Sequence, residues 1–215
     1  LKNYKIVDAV KNTTCNEEKV FKPEGEIKRK VCLFDFGAKD NIRRELVKRG
    51  CEVTVLPAFT KAERVLELNP DGIMLSNGPG DPADNVDIIE ELKKLSEKKI
   101  PTFGICLGHQ LLALSQGGKT EKLKYGHRGA NQPATEVETG RVYITSQNHG
   151  YAVINDSMGE NAKVSFVNAN DGTCEGITYL NMPAFSVQFH PEACGGPLDT
   201  GFLFDKFIDL IDSNK

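Results

Sequence analysis

The segment Pro101-Thr-Phe-Gly-Ile-Cys-Leu-Gly-His-Gln110 decides the reading of this chain. An apolar, strand-type run from Thr102 to Ile105 meets a helix-type run, Leu111 to Leu114, across Gly104-Ile-Cys106-Leu-Gly108. A nucleophile between glycines at a strand-to-helix junction is the pattern of a nucleophile elbow, here with sulfur in place of hydroxyl. Such a turn holds its central residue in a strained conformation, and the glycines allow strand and helix to approach closely. Placed at the start of a helix, the sulfur meets orphan N–H groups and the positive end of the dipole, which favour negative charge.

Working upstream, strand and helix patterns alternate. Val31-Cys-Leu-Phe-Asp-Phe36 reads as a buried strand, and Asp40 to Arg49 has helical spacing at Ile42, Leu46 and Val47, stopped by Gly50. Cys51 to Leu56 is the next strand, and Thr60-Lys-Ala-Glu63 predicts a capping box opening a helix that Pro70 ends. The strand Gly72 to Ser76 runs into Asn77-Gly-Pro-Gly-Asp-Pro82, whose glycines and prolines forbid regular structure, and Ile88 to Leu95 is an amphipathic helix. Four strand-helix repeats in series predict an α/β fold with an open, mostly parallel, doubly wound sheet and helices on both faces. Ligands in that architecture sit outside the carboxyl ends of the strands, so the 77–82 loop and the Cys106 elbow converge on one pocket.

Downstream of Gly118 the pattern shifts to shorter β pieces: Val142 to Thr145, Lys163 to Val167, Gly176 to Leu180 and Ala184 to Phe189. This half predicts an antiparallel β region packed onto the sheet. A last helix, Gly201 to Ile211, puts Phe204, Phe207, Ile208 and Ile211 on one face. Residues 1–28 carry no sustained periodicity and read as an arm, with Lys22-Pro-Glu-Gly-Glu26 as a linker ending in a turn. Because the chain begins with Leu1, it is expected to be a fragment of a longer protein.

Composition narrows the function. A length of 215 residues, 39% apolar and 27% charged, suits one globular domain with an added arm. A net charge of −3 offers no basic field for nucleic acid or an anionic membrane, and no apolar run approaches the roughly 18 residues that span a bilayer. A cytoplasmic protein acting on a small molecule or a protein partner is the expectation. The six cysteines show no CxxC spacing, so reduced thiols are expected rather than a disulfide framework or a metal site.

A cysteine hydrolase needs a base, a group that orients the base, and oxyanion donors. Of four histidines, only His190 joins a strand end to a nearby carboxylate, in Val187-Gln-Phe-His190-Pro-Glu192, where proline fixes the relation of imidazole to carboxylate. Glu192 would then select the tautomer and stabilise imidazolium. His109 is read as a packing residue, and the polar cluster Ser146-Gln-Asn-His-Gly150 as a ligand contact through its backbone and Asn148. Cys32 and Cys51 read as strand residues, and Cys194 lacks a helix N-terminus. Gly78 and Gly80 are either turn glycines or, with an N–H there and that of Leu107, an oxyanion hole.

Taken in order, Asn77-Gly-Pro-Gly-Asp-Pro82, Gly104-Ile-Cys-Leu-Gly-His-Gln110, Gln147-Asn-His-Gly-Tyr151 and Phe189-His-Pro-Glu192 resemble the class I (triad) glutamine amidotransferases. Asp35-Phe-Gly-Ala-Lys39, Gly126-His-Arg-Gly-Ala-Asn-Gln-Pro133 and Gly195-Gly-Pro-Leu-Asp199 look more narrowly like the glutaminase domain of the carbamoyl-phosphate synthase small subunit. The resemblance covers about residues 30 to 212. It implies that Cys106 attacks the side-chain amide of L-glutamine, giving a glutamyl thioester and ammonia, with His190 shuttling the proton and Glu192 orienting it. By motif position Gly78, Gly80, Leu107, Gln110, Asn148, Gly150 and Tyr151 line the glutamine site. Many relatives carry phenylalanine at Tyr151, and little effect is expected from the added hydroxyl.

The resemblance further implies a division into residues 1–28, a linker from a preceding domain that adds a serine to the glutamine site, and the glutaminase domain, 29–215. Its implied partner is a large synthetase subunit that uses ATP and Mg to make carbamoyl phosphate for arginine and pyrimidine biosynthesis. This chain is expected to need no cofactor or metal of its own. The alternatives are the amidotransferase component of an anthranilate, aminodeoxychorismate or guanylate synthase, a free γ-glutamyl hydrolase, and a non-catalytic regulatory docking module.

Overall fold

The computed structural model describes residues 7–215. Residues 1–6 of the predicted arm lie outside them. The first strand, β1 (Lys19–Phe21), precedes the alternating units β2 (Arg29–Asp35), α1 (Asp40–Lys48), β3 (Cys51–Pro57), α2 (Ala62–Glu67), β4 (Gly72–Leu75), α3 (Val86–Ser96), β5 (Thr102–Ile105) and α4 (Leu107–Ser115). Then come β6 (Thr120–Glu136), β7 (Val142–Val153), β8 (Ala162–Asn168), β9 (Cys174–Tyr179), β10 (Ala184–Val187) and α5 (Phe202–Asp212).

The ten strands of the described residues form one sheet in the order β1-β3-β2-β4-β5-β10-β9-β8-β6-β7. From β3 to β10 the neighbours are parallel, and from β10 to β7 they are antiparallel. The expected doubly wound α/β sheet with an antiparallel C-terminal region is therefore present, but that region continues the sheet edge to edge rather than packing onto it. The strand Ala184–Val187 is the joint: it runs parallel to β5 on one side and antiparallel to β9 on the other. Sequence pattern alone does not distinguish these pairings, because a fully buried strand reads the same in either sense.

Each face of the sheet carries its own apolar layer. On one, α2, α3 and α4 bury Val65, Leu92 and Leu111 against Phe34, Ile73 and Leu75. On the other, Ile42 and Leu46 of α1 and Leu203, Phe204, Phe207 and Ile211 of α5 cover Leu33, Met74 and Phe103. Phe103 stacks on Phe185 at 4.4 Å and meets Phe204 edge-on at 5.9 Å, geometry that adds about 0.5–1.5 kcal/mol per pair beyond area burial.

Two local expectations change. Thr60 caps no helix: its hydroxyl donates to the Pro57 carbonyl at 2.7 Å, and α2 starts after Lys61. The cap comes instead from α3, where the buried Glu91 carboxylate accepts from the Ala62 N–H at 2.9 Å and pairs with Lys61 and Lys94. The arm is not free of structure either. Its Lys19–Phe21 segment adds an antiparallel edge to β3, Val10 is buried, and the Cys15 N–H donates to the Asp35 carboxylate at 2.9 Å.

Candidate active site

Cys106 stands at the N-cap of α4 with φ 52° and ψ −103°, a conformation that costs a non-glycine residue on the order of 1–3 kcal/mol. The surroundings enforce it. The Cys106 N–H donates to the Val187 carbonyl of β10 at 2.9 Å, and its own carbonyl already accepts from the Gln110 N–H at 3.2 Å. Gly108 donates to the Ser76 carbonyl at 3.0 Å. A Cβ on Gly108 would lie 2.4 Å from the Leu75 carbonyl oxygen, so any side chain there would push α4 off β4. The elbow is thus clamped between the ends of β4 and β10, with the Leu107 N–H at the first helical position, where no intrahelical acceptor exists.

His190 follows β10, its N–H donating to the Ser146 carbonyl of β7 at 2.9 Å. Its Nδ1 lies 2.7 Å from Glu192 Oε1, and both side chains are buried. The sulfur of Cys106 interacts with the same imidazole. Burial opposes charge on His190, but the Cys106 sulfur and the Glu192 carboxylate outweigh it and carry its pKa up to about 9. Against its own burial, Glu192 is held below the ordinary carboxyl value by His190 and Lys39. The three side chains thus have the arrangement that a Cys-His-Glu relay requires, with Glu192 on one imidazole nitrogen and the other left toward the Cys106 sulfur.

A second layer that the sequence reading did not assign holds the acid. Lys39 Nζ lies 3.3 Å from Glu192 Oε1, and Asn41 Nδ2 donates to the Glu192 carbonyl at 2.5 Å. The loop that brings Lys39 there is set by Asp35, whose carboxylate accepts from the Gly37 and Ala38 N–H groups at 2.9 and 2.7 Å. Asn77 ties this loop to the 77–82 loop: it accepts from the Lys39 N–H at 3.0 Å and donates to the Gly37 carbonyl at 3.0 Å. The signal was present in Asp35-Phe-Gly-Ala-Lys39, an acid two and three residues ahead of the N–H groups it caps.

Over Cys106 opens a cavity of about 500 Å³. Of the residues expected there, Gly78, Gly80, Gln110, Asn148, Gly150 and Tyr151 line it; Leu107 is buried beneath Gly78 instead. Gly80 has φ +97°, a conformation that side-chain-bearing residues avoid. Gln110 acts as a strut, donating to the Tyr151 carbonyl at 2.7 Å and to Gln188 Oε1 at 2.8 Å. The cavity also takes in Asp81, Asp84, Lys122 and Arg128, so acids and bases share its rim. Lys122 and Arg128 were not foreseen, because β6 is a largely polar run whose strand character is set by pairing with β7 and β8, whereas Asp81 belongs to the 77–82 loop expected at the pocket.

Of the remaining titratable groups, His149 also lines the cavity, while His109 and the other cysteines lie apart from it. His109 is fully buried, its Nδ1 2.8 Å from Ser186 Oγ, and burial, helped by His149, pushes its pKa down to about 3, as suits a packing residue. Burial pushes the Cys32 and Cys51 thiols up to about 12 and about 11, which leaves them inert. Cys194 is exposed. Among the described residues one group has the composition of a metal site, His127, His149 and Glu175, with ligand atoms within 4.8 Å of one another. Their separation in sequence hides it.

Comparison with known proteins places the chain. Residues 32–210 match the sequence model of Glutamine amidotransferase class-I. The chain is 54% identical over 201 residues to the carbamoyl phosphate synthase small chain of Clostridium perfringens, covering 94% of this chain and 56% of that one. Against the same-named protein of Lactococcus lactis strain IL1403 it is 52% identical over 193 residues, 90% of this chain and 54% of the other. It thus spans about half the length of these curated relatives. A solved glutamine amidotransferase from Thermotoga maritima shares the fold at 18% identity and a TM-score of 0.64, over 86% of this chain and 85% of that one. A solved protein from Thermoplasma acidophilum, described as a candidate GMP synthase component, superposes with a TM-score of 0.76 at 21% identity, over 86% of this chain and 95% of that one. On the match over residues 32–210, the chain belongs to the class-I glutamine amidotransferase family.

Proposed function

We propose that this chain is the glutaminase domain of a carbamoyl-phosphate synthase small subunit. Cys106 Sγ attacks the side-chain amide carbon of L-glutamine while His190 holds the thiol proton. The tetrahedral oxyanion is met by the Leu107 N–H at the head of α4 and by an N–H of the Gly78–Gly80 loop, donors of a kind worth roughly 3–4 kcal/mol each. His190 then gives its proton to the departing nitrogen, so that ammonia leaves and a glutamyl thioester remains. Water, deprotonated by His190, cleaves the thioester to glutamate and restores the thiol. Glu192 keeps the imidazole oriented throughout.

Gly78, Gly80, Gln110, Asn148, Gly150 and Tyr151 hold the substrate, with Leu107 beneath them. Residues 1–28 are a linker from a preceding domain and 29–215 the catalytic unit. The ammonia goes to a large subunit, which uses ATP and Mg; this domain uses no cofactor of its own, and the pair works in the cytoplasm. No helix of the described residues is long and apolar enough to cross a membrane.

The observation that carries this reading is the buried His190–Glu192 pair, 2.7 Å apart, set against Cys106 at the floor of the cavity. The choice of synthetase is supported by the identity to small chains of carbamoyl phosphate synthase. Titration with purified large subunits tests it. Coupling of glutamine hydrolysis to carbamoyl phosphate by the carbamoyl-phosphate synthase large subunit is expected; coupling only to an anthranilate, aminodeoxychorismate or guanylate synthase would overturn it.

A further inference from the structure

The Gly126–Pro133 motif has no task in the chemistry above, yet it crosses directly behind the strand that lines the cavity. On β6, His127, Arg128 and Gly129 are the Cα partners of His149, Asn148 and Gln147 on β7. The pairing is irregular on both sides, between Lys122 and His127 and again between Gly129 and Gln132. Between the two irregularities only these three rungs hold the register of Arg128, Asn148 and His149, which line the cavity; the Lys122–Tyr151 rung lies beyond the first of them. A slip by one residue along a strand turns every side chain to the opposite face, and short ladders between irregularities have little of their own to prevent it.

What fills that need is a polar cluster built on the same rungs around the buried Glu175. His127 Nδ1 lies 3.2 Å from Glu175 Oε1 on β9, and Nε2 lies 2.9 Å from Asp171 in the β8–β9 turn. Asn168 of β8 donates to the same Glu175 oxygen at 3.1 Å. Edge-on to His127, at 4.9 Å between ring centroids, stands His149, whose Nδ1 meets the Tyr151 carbonyl at 2.9 Å. Glu175 is wholly buried, its second oxygen has no hydrogen-bond partner among the described residues, and burial raises its carboxyl above the ordinary value. A carboxylate so placed is stable only beside a cation. Imidazolium at His127 supplies one and, with a carboxylate on each nitrogen, bridges Glu175 to Asp171; moving β6 by one residue would put Gly126, which has no side chain, or the longer Arg128 at this position and take His127 to the opposite face.

We infer that His127, locked between Glu175 and Asp171, is the register pin of the β6–β7 hairpin and thereby a positioning residue for the substrate strand Asn148–Tyr151. It touches no reacting atom and acts through its cross-strand partner His149. The hydrogen bonds favour a proton over a metal ion at this place. His127 already has a carboxylate on each nitrogen, and His149 Nε2 is 3.9 Å from Glu175 Oε1, with Gln147 Oε1 closer at 3.1 Å.

The inference rests on the glutaminase reading for its kinetic part and on the fold alone for the rest, so two measurements separate them. In steady-state glutamine hydrolysis by the chain, His127→Asn raises KM about tenfold or more with kcat within about threefold of wild type. The double variant His127→Asn with Glu175→Gln, which removes the stranded charge, returns KM to within about threefold. Hydrogen exchange of the amides of residues 147–151 accelerates in His127→Asn and recovers in the double variant, whether or not the chain hydrolyses glutamine. If His127→Asn does not fold, Asp171→Asn, which loosens only the outer contact, is expected to accelerate the same amides to a smaller degree. Unchanged exchange in these variants overturns the pin, as does stoichiometric zinc in the purified protein that His127→Asn loses. A wild-type chain with normal exchange but no glutaminase activity would overturn the reading of function and leave the pin standing.

Discussion

Two histidine–glutamate pairs lie on the β7 side of the cavity, and they are built alike. His190–Glu192 is a buried ion pair and His127–Glu175 a partly buried one, at hydrogen-bonding distances of 2.7 and 3.2 Å, and in both the imidazole pKa rises to about 9. For His127 the Glu175 hydrogen bond is the largest cause and outweighs burial, with Asp171 adding to it. For His190 burial is the largest and opposes the rise, and the Cys106 sulfur is the strongest influence that overcomes it. The difference in role comes from the third member. One imidazole has a carboxylate on one nitrogen and the Cys106 sulfur on its other side; the second has carboxylates on both nitrogens and none left to react. A raised histidine pKa therefore marks a relay only where one nitrogen is left for chemistry.

Breaking the first pair should cost turnover, in order of each member's distance from the reacting sulfur. Cys106→Ala is expected to abolish glutamine hydrolysis, a loss of more than about 10⁴-fold in kcat, since Cys106 is the only thiol among the described residues that line the cavity. His190→Asn should lower kcat about 10²–10⁴-fold with little change in KM, the range for loss of a general base. Glu192→Gln should be milder than His190→Asn, because the base remains and only its orientation is lost; equal losses would contradict the division of roles.

Stability against pH compares the two pairs in one experiment. Each imidazole has its pKa raised in the folded state, so its stabilising effect is fully present below about 6.5 and is lost as pH rises through about 9. The melting temperature of the wild-type chain should fall across that window. Each single histidine variant should lose part of the slope and the double variant nearly all of it, at about 2–4 °C per kcal/mol. A slope unaltered in both single variants would mean that neither pair is held as the ion pair described.

Glu91 gives a smaller effect and the opposite sign. The Ala62 N–H, first among its partners, with Lys94 and Lys61, overcomes burial and holds its carboxyl down at about 2. Glu91→Gln should destabilise the chain by about 1 kcal/mol through loss of the helix cap, with the wild-type advantage present above pH 4.5 and lost as pH falls toward 2. Thr60→Ala should change stability by less than about 0.5 kcal/mol.

The contrast between the pairs also explains what could be read from sequence. His190 and Glu192 are two residues apart, with a proline between them, and Cys106 announces itself through its own glycines, so each signal fits in a window of a few residues. The same holds for β2, β3, β4 and β5, whose apolar runs bury on both faces. His127 and Glu175 are 48 residues apart and meet only because β6 turns back along β7 while β8 brings β9 within reach of its side chains. β6, a largely polar run, carries no apolar alternation to reveal it, and β9, though legible as a strand, gives no sign of which strand its glutamate faces. Thr60-Lys-Ala-Glu63 failed for the same reason in reverse: a local capping pattern was present, and a distant glutamate on α3 took its place. Lys39 and Arg128 sat within quoted motifs, but their facing toward Glu192 and the cavity is a property of loops that only the assembled sheet brings together.

The central claim, that Cys106 is a nucleophile served by His190 in a glutamine-shaped cavity, is tested most directly by labelling with a diazo-ketone analogue of glutamine and mapping the adduct by mass spectrometry. A single adduct on the Cys106 peptide is predicted, suppressed by L-glutamine and lost in Cys106→Ala, while Cys15, Cys32, Cys51, Cys174 and Cys194 stay unmodified. No adduct on the wild-type chain, or labelling that persists in Cys106→Ala, would contradict it.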